Sequence, residues 1–291
     1  MSGFTGRHLA TRLASDGWEI FGLGAHADDL SFPNLNVDMS ETSAIAGWLT
    51  ETAPTHIVHL AAQSHVIGDP LKFFKVNVLG TESLLLAISE ARIVPKKLLI
   101  ASSANVYGQC ENSPIKEEEP SRPVNHYALS KAAMELLVQK WFGQFPTIIT
   151  RPFNYTGPGQ SEAFLFPKIV GAFHRNDPVM TLGNLKVARD LSDIDFVVEA
   201  YRRLLLSPID SEVFNICSGS SISIETTLQL VSELTQYLPE VVVDPALVRP
   251  DEIAELRGDS ARLQSAIGPL EPCPPKAIFA AMLTALDRQT P

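Results

Sequence analysis

The chain has 291 residues, and its 33 acidic and 23 basic side chains give a net charge of −10. That length allows a large buried core, while the acidic balance repels phosphate backbones and argues against nucleic acid as a partner. No apolar run approaches membrane-spanning length and no export signal is evident, so we expect a cytoplasmic protein without a membrane partner.

The three cysteines, Cys110, Cys217 and Cys273, lack metal-type spacing, so they predict core residues in a reducing compartment and no metal site.

Helical and strand-like segments alternate through the first half of the chain. In chain order the predicted elements are helix 6–16, strand 19–23, helix 41–52, strand 56–60, helix 75–91, strand 97–101, helix 127–142 and strand 147–150. This alternation predicts a Rossmann-like, doubly wound parallel α/β sheet with helices on both faces. After Thr156 the pattern loosens into short helices and loops with one more strand at 213–217. We therefore expect a sheet domain over residues 1–156 and a smaller, interleaved C-terminal α/β lobe over 157–291.

The start of the chain gives a separate expectation. A doubly wound sheet has a central strand before its glycine-rich loop, and a buried strand takes about five or six residues. Because residues 1–4 are too few, we expect the first strand to be missing, with a gap or a stub beside strand 19–23. The first helix is expected to begin near Gly6.

The most informative motif combines Ser103, Tyr127 and Lys131. Tyr and Lys four residues apart on a helix share one face, where an ammonium can lower the pKa of a phenol and prepare it for proton transfer. Ser103 ends an apolar strand, so its hydroxyl can complete a donor pair around one substrate oxygen. The Tyr–Lys spacing alone is a weak signal, and the preceding Ser-Ser makes it specific.

Gly3 and Gly6 match the second half of a glycine-rich dinucleotide loop, in which the backbone approaches a pyrophosphate at a helix N-terminus. For so short a motif, the simple beginning of a helix is the alternative interpretation.

Together, several strings resemble those of the extended short-chain dehydrogenases/reductases that act on nucleotide sugars. In chain order they are Gly3-Phe4-Thr5-Gly6, Asp38-Met39, His59-Leu60-Ala61-Ala62-Gln63-Ser64, Asn77-Val78-Leu79-Gly80-Thr81, Ser102-Ser103-Ala104-Asn105-Val106-Tyr107-Gly108, Tyr127-Ala128-Leu129-Ser130-Lys131, Arg151-Pro152-Phe153-Asn154, Gly157-Pro158-Gly159-Gln160 and Arg189-Asp190. Their shared order and spacing, rather than any one string, carry the resemblance.

The resemblance implies an NAD(P) cofactor bound by residues 1–156 and a nucleotide-sugar substrate bound by 157–291. Tyr127 would donate or accept the proton, Lys131 would bind the nicotinamide ribose and lower the Tyr127 pKa, and Ser103 would bind the reacting sugar oxygen. The implied cofactor-binding residues are Gly3, Phe4, Gly6, Asp38, Met39, Ala61, Ala62, Tyr127, Lys131 and Pro152. The implied substrate-binding residues are Ser103, Asn154, Arg189 and Arg249.

Other residues in these strings have a second interpretation. Asn77 is expected to brace the backbone rather than contact a ligand. Arg189 beside Asp190 forms either a substrate contact or a local ion pair. The acidic run at 117–119 predicts a solvated loop.

The reaction is indicated by Asn105. The resemblance implies that 4,6-dehydratases carry an acidic residue shortly after the serine, for example a Glu at position 105, which acts as the base that removes a proton from the sugar. An amide such as that of Asn105 cannot act as this base. Carbonyl or alcohol redox chemistry at C4 of the sugar remains. The strings at 188–193, 214–219 and 256–263 resemble those of the reductases that convert GDP-4-keto-6-deoxy-mannose to GDP-rhamnose. A nucleotide-sugar 4-epimerase shares most of these strings and is the alternative.

The cofactor and the oligomeric state are less well specified. The stretch at 22–29 lacks both an acid at the strand end for NAD and an Arg for a 2′-phosphate. Because a reductase draws on the reduced biosynthetic pool, NADPH is favoured over NADH. A non-catalytic NAD(P)-binding sensor is the alternative from another class, and a homodimer is left open.

Overall fold

The protein is seen in a computed structural model that describes residues 3–25, 32–64, 69–248 and 253–288. In chain order its α-helices are α1 (Phe4–Ser15), α2 (Thr42–Thr52), α3 (Pro70–Phe73), α4 (Gly80–Glu90), α5 (His126–Gln139), α6 (Leu165–His174), α7 (Ile194–Leu206), α8 (Ile224–Thr235), α9 (Ala261–Ile267) and α10 (Pro275–Asp287). Its strands are β1 (Gly22–Gly24), β2 (Asn34–Asn36), β3 (His56–His59), β4 (Lys97–Ala101), β5 (Thr147–Pro152), β6 (Asn154–Thr156), β7 (Val179–Leu182), β8 (Ala188–Asp193), β9 (Glu212–Ile216), β10 (Ser221–Ser223), β11 (Glu240–Val243) and β12 (Glu255–Leu256).

A parallel sheet with the strand order β3-β4-β5-β9 forms the centre of the fold. After Lys97, the middle strand β4 is a continuous apolar run because helices cover both faces of the sheet. Leu98 and Ile100 of β4 pack in one cluster with α2, α4 and α5, while Leu99 packs with α1 and α7. This arrangement confirms the Rossmann-like, doubly wound fold.

Strands β1 and β2 form a separate parallel pair. Within the described residues neither strand is hydrogen-bonded to β3, so the sheet is interrupted there, and a missing first strand stays a prediction. Strand β1 begins three residues later than predicted because its pairing starts at Gly22, whose N–H donates to the Pro33 carbonyl at 2.8 Å. Helix α1 begins at Phe4, ahead of the predicted Gly6.

The second part of the chain contains more strands than its sequence predicts. Strand β8 pairs with β6, β10 and β12, and β7 pairs with β11. Helices α6, α8 and α10 pack together over a core that includes Ile169, Val231 and Phe279. Strand β9 instead returns to the central sheet beside β5. The carboxyl ends of β3, β4 and β5 therefore meet at one edge, next to β6.

The predicted helix at 75–91 begins earlier, at Pro70. The Asp69 carboxylate accepts a hydrogen bond from the Leu71 N–H at 3.0 Å, and this N-cap with a proline at the first position starts α3. A π-helix at Phe74–Leu79 then continues into α4. Among the helices described, none is both long and apolar enough to cross a membrane.

Candidate active site

Ser103 and Tyr127 lie together where β4 ends and α5 begins. Ser103 has extended backbone and precedes a 3₁₀ turn at Ala104–Tyr107. Helix α5 starts at this point because the Asn125 side chain accepts a hydrogen bond from the Ala128 N–H at 2.9 Å. Tyr127 is consequently in the first turn of α5, buried and facing the strand end.

The Tyr127 phenol is held in its protonated form. Burial raises its pKa to about 12, although a hydrogen bond with Ser103 acts in the opposite direction. Phe73 packs against the ring edge to face, with centroids 6.1 Å apart. The phenol is thus a fixed proton donor at neutral pH.

Lys131 lies one turn further along α5 and is also buried. Its Nζ donates a hydrogen bond to the Ala101 carbonyl at 2.7 Å. Burial lowers the pKa of Lys131 to about 8, against an opposing effect of Glu135. The expected lowering of the Tyr127 pKa by Lys131 is not seen in this structure, where burial raises that pKa and the only opposing influence is the hydrogen bond with Ser103.

Asn105 directs the Ser103 hydroxyl. Both the Asn105 N–H and its side-chain Nδ2 donate to Ser103 Oγ, at 3.2 and 3.0 Å. Since Oγ accepts twice, its own proton is left to be donated to a third group. Ser103 is thereby set to donate to an oxygen placed beside Tyr127.

The N-terminus of α1 fits an anionic group. Gly3 is its N-cap residue, no side chain caps it, and no acid lies in the first turn. A Cβ built on Gly3 would meet nothing within 4 Å, so the backbone is open to a ligand. N–H groups at a helix start favour an anionic group such as a pyrophosphate, and binding of one by Gly3, Phe4 and Gly6 stays a prediction. The Phe4 ring itself turns away and stacks with Tyr155, at 6.3 Å between centroids.

Two further segments predicted to bind the cofactor follow β2 and β3. Asp38 is exposed, and its Oδ1 accepts from the Ser40 N–H and hydroxyl, which lower the pKa of Asp38. Met39 is buried, with its side chain in the core that includes α4, and its predicted contact with the cofactor stays a prediction. Ala61 and Ala62 lie half-buried in the loop after β3.

Asn77 holds that loop, as predicted. Its Oδ1 accepts from the Gln63 N–H at 2.8 Å, and its Nδ2 donates to the Gln63 carbonyl and to Ser130 Oγ. Ser130 in turn donates to the Tyr127 carbonyl. Asn77 therefore links the cofactor-side loop to the helix that carries Tyr127.

On the substrate side, Pro152 ends β5 and Asn154 begins β6, both half-buried. Arg189 Nη1 donates to the carbonyls of Ala188 and Ile253, each at 2.8 Å. Arg249 and the stretch at 26–29 lie outside the described residues.

Asp190 has a role that the sequence did not suggest. Its carboxylate accepts hydrogen bonds from the Ser218 N–H and hydroxyl, the Gly219 N–H and the Gly258 N–H, at 2.7 to 3.2 Å. These contacts fasten the loops after β9 and β12 to β8. The contacts described for Arg189 and Asp190 brace the backbone, and substrate binding by Arg189 stays a prediction.

The fold and the Ser–Tyr–Lys set define a short-chain dehydrogenase/reductase, and the protein is an NAD(P)-dependent oxidoreductase. Residues 1–269 match the GDP-mannose 4,6 dehydratase family, and the chain belongs to that family.

Its similarity to individual proteins extends over nearly the whole chain. It is 34% identical over 269 residues to the GDP-6-deoxy-D-talose 4-dehydrogenase of Aggregatibacter actinomycetemcomitans, covering 92% of this chain and 89% of that protein. It is also 34% identical over 281 residues to the GDP-6-deoxy-D-mannose reductase of Pseudomonas aeruginosa, with coverage of 92% and 89%. The structure of RMD from Pseudomonas aeruginosa in complex with NADPH matches with a TM-score of 0.85 and 31% identity, over 99% of this chain and 97% of that one.

Proposed function

We propose that this protein uses NAD(P)H to reduce the C4 keto group of GDP-4-keto-6-deoxy-D-mannose and forms GDP-D-rhamnose. The observation that carries the proposal is the grouping of Ser103, Tyr127 and Lys131 around a position where Asn105 supplies an amide and no carboxylate. The names of two relatives, a GDP-6-deoxy-D-talose 4-dehydrogenase and a GDP-6-deoxy-D-mannose reductase, support a GDP-linked 6-deoxy sugar as substrate.

A bound nicotinamide cofactor supplies the hydride that C4 of the sugar accepts. The protein would hold its pyrophosphate at the N-terminus of α1 through Gly3 and Gly6. Lys131 would turn from the Ala101 carbonyl to the ribose hydroxyls, and Asp38 would reach the adenine. NADPH is the proposed form, with NADH second, and the NADPH complex of RMD supports this order.

The side chains supply the proton and stabilise the oxygen. As C4 becomes an alcohol, its oxygen gains negative charge and takes the proton of Tyr127. Ser103 donates its hydroxyl hydrogen to the same oxygen, because Ser103 Oγ already accepts two hydrogen bonds from Asn105. Asn154 and Arg189 are proposed to contact the sugar diphosphate.

The test is direct. Purified protein is mixed with NADPH and GDP-4-keto-6-deoxy-D-mannose, NADPH consumption is followed by absorbance, and the product is identified by NMR. We expect one NADPH consumed for each GDP-D-rhamnose formed. NADPH binding without consumption of any keto-sugar nucleotide would instead indicate the sensor.

Two alternative outcomes concern C4 itself. Formation of the C4 epimer, GDP-6-deoxy-D-talose, would keep the reductase chemistry but reverse the face of the sugar, as the name of one relative suggests. Interconversion of two sugar nucleotides with no net change in NADPH would indicate a 4-epimerase.

We further propose that residues 1–156 bind the cofactor, that 157–291 bind the substrate, and that the protein is a cytoplasmic homodimer. Exposed leucines at seven-residue spacing support a dimer through one face: Leu79, which ends the π-helix, with Leu86 of α4, and Leu129 with Leu136 of α5. Sedimentation of the wild type beside a Leu86→Glu/Leu136→Glu variant tests it, and a wild-type monomer would contradict it.

A further inference from the structure

A buried ion pair joins Arg151 to Glu135, which follows the proposed catalytic Lys131 by one turn of α5. Arg151 of β5 donates from Nε to both carboxylate oxygens of Glu135, at 3.0 and 3.2 Å, and from Nη2 to Oε2 at 2.6 Å. Both residues are less than a tenth exposed, at 7% for Arg151 and 3% for Glu135. Burying two charges is costly, and a bidentate geometry of this quality compensates for that cost.

The same guanidinium reaches the turn that follows the serine strand. Arg151 Nη1 donates to the Tyr107 hydroxyl at 3.0 Å and to the Glu117 carbonyl at 3.1 Å, and its carbon lies 4.8 Å from the centre of the Tyr107 ring. Tyr107 ends the turn that contains Asn105, and it donates to Asn215 Oδ1 at 2.6 Å. Arg151 therefore joins three segments: α5, the turn after β4, and β5.

Those segments carry the catalytic groups. Tyr127 and Lys131 are on α5, Ser103 precedes the turn, and Pro152 follows Arg151 directly on β5. Because Glu135 follows Lys131 by four residues, its carboxylate lies on the same side of α5, one turn further on. Movement of the pair would shift all these groups relative to one another.

We propose that Glu135 and Arg151 are positioning residues, which act through Lys131 by fixing its place and by keeping it charged at the pH at which the enzyme works. The inference rests on the proposed function only in giving Lys131 the task of binding the cofactor.

The electrostatic part follows from the groups around Lys131. Burial lowers the pKa of Lys131 to about 8, and the charge of Glu135 raises it. From β3, His59 faces Lys131 but is neutral, since burial first and the charge of Lys131 second lower its pKa to about 3. Tyr127 is protonated for the reason given above, and Arg151 balances Glu135. Charged side chains also lie on the other helices that pack on α5, namely Lys72 on α3, Lys75 on the π-helix and Glu82 and Glu90 on α4, but in the described residues none of them acts on the pKa of Lys131.

His59 is fixed as a neutral tautomer by its neighbours. Thr81 donates its hydroxyl proton to the Asn77 carbonyl at 2.7 Å, so the 2.9 Å contact between His59 Nε2 and Thr81 Oγ1 requires the proton on Nε2. Burial, which lowers the pKa of Lys131, is therefore opposed by the charge of Glu135, and Arg151 is proposed to act on Lys131 through its ion pair with Glu135.

Substitutions of the two partners should consequently have opposite effects. Glu135→Gln removes the negative charge and leaves the Arg151 cation, so the Lys131 pKa falls. Arg151→Met removes the cation paired with the Glu135 carboxylate, so the attraction between that carboxylate and Lys131 strengthens and the Lys131 pKa rises. The double variant Glu135→Gln/Arg151→Met removes both charges and should return the pKa towards that of the wild type. A role in fold stability alone predicts no such reversal of sign.

The experiment measures the dissociation constant of NADPH by fluorescence as a function of pH, for the wild type and the three variants. In the wild type, affinity should fall as the pH rises through about 8, when Lys131 loses its proton. We expect this fall to move down by about one pH unit in Glu135→Gln and up by a similar amount in Arg151→Met. Circular dichroism checks that each variant is folded.

Conservative variants separate charge from placement. Glu135→Asp keeps the charge, so its pH dependence should stay near that of the wild type even if Arg151→Met does not fold. Arg151→Lys also keeps its charge but loses the bidentate contact, so it should lower kcat about tenfold without moving the pH dependence. Shifts in the same direction for both neutral variants, or a Glu135→Gln profile like that of Glu135→Asp, would overturn the inference. Absence of NADPH binding in the wild type would instead reject the proposed function.

Discussion

The side-chain amide of Asn105 donates a hydrogen bond to Ser103, with Nδ2 and Oγ 3.0 Å apart. The resemblance implies that a dehydratase carries at this position the acidic residue that removes a proton from the sugar, whereas Asn105 supplies a hydrogen-bond donor. Membership of a family named for dehydration therefore does not carry dehydration to this chain, because the residue in question has no basic oxygen.

We accordingly predict that the protein given GDP-mannose and NAD(P)+ forms no 4-keto-6-deoxy product. Mass spectrometry would detect that product as a loss of water from the sugar nucleotide. The same preparation must consume NADPH with the keto sugar, so that inactivity is not mistaken for specificity. Appearance of the dehydrated nucleotide would contradict the assignment of Asn105.

Thr5 and Tyr155 connect the cofactor side to the substrate side. Their hydroxyl oxygens are 2.7 Å apart, and they join the first turn of α1 to β6, the strand that begins with Asn154. We predict that Thr5→Val and Tyr155→Phe each raise the dissociation constant of NADPH and the KM of the substrate by about threefold to tenfold. The double variant should be no worse than the poorer single one, because both remove one hydrogen bond.

Ser15→Ala serves as the control for that cycle, since Ser15 lies on the same helix but is exposed, and its hydroxyl donates to the Thr11 carbonyl of its own helix. Additive losses in the double variant would show that Thr5 and Tyr155 act separately.

Lys131 should make stability depend on pH. Its pKa is 10.5 in an unfolded chain and about 8 in the fold, where burial lowers it. Between these values the unfolded chain binds the proton more tightly, so the contribution of Lys131 to the free energy of unfolding increases with pH. That contribution is complete above the unfolded pKa and is lost as the pH falls through the folded one.

We therefore expect the wild type to gain about 2–3 kcal/mol relative to Lys131→Met between about pH 7 and about pH 10. Urea unfolding of both proteins across this range gives the difference, in which the other titrating groups cancel. A difference that does not change with pH would mean that the lysine is not desolvated.

The sequence predicted those parts of the fold that local pattern determines. Strand 97–101 is found at its predicted bounds because its apolar run is buried on both faces. The strands of the second part were missed because several have only two to four residues, such as Ser221–Ser223, and depend on partners distant in the chain. Likewise the run at 117–119 is not simply solvated, since the Glu117 carboxylate accepts from the Asn215 N–H at 2.8 Å.

The site divides in a similar way. Ser103, Tyr127 and Lys131 could be found because a fixed spacing on one helix and a strand end bring them together. The Arg151–Glu135 pair could not be predicted, because only the fold places β5 beside the C-terminal part of α5. An acidic residue four positions after Lys131 was the signal available in the sequence. The direction of the Tyr127 pKa shift also depends on burial, which spacing does not reveal.

The central claim is that Tyr127 supplies the proton for reduction at C4, and Tyr127→Phe tests it most directly. The change removes only the phenolic oxygen and keeps the ring that packs against Phe73, so the fold and NADPH affinity should remain near those of the wild type. With a keto-sugar nucleotide and saturating NADPH, we predict that turnover falls by about a hundredfold or more, as expected for loss of a general acid. A Tyr127→Phe protein that binds NADPH and keeps more than about a tenth of the wild-type rate would contradict the account.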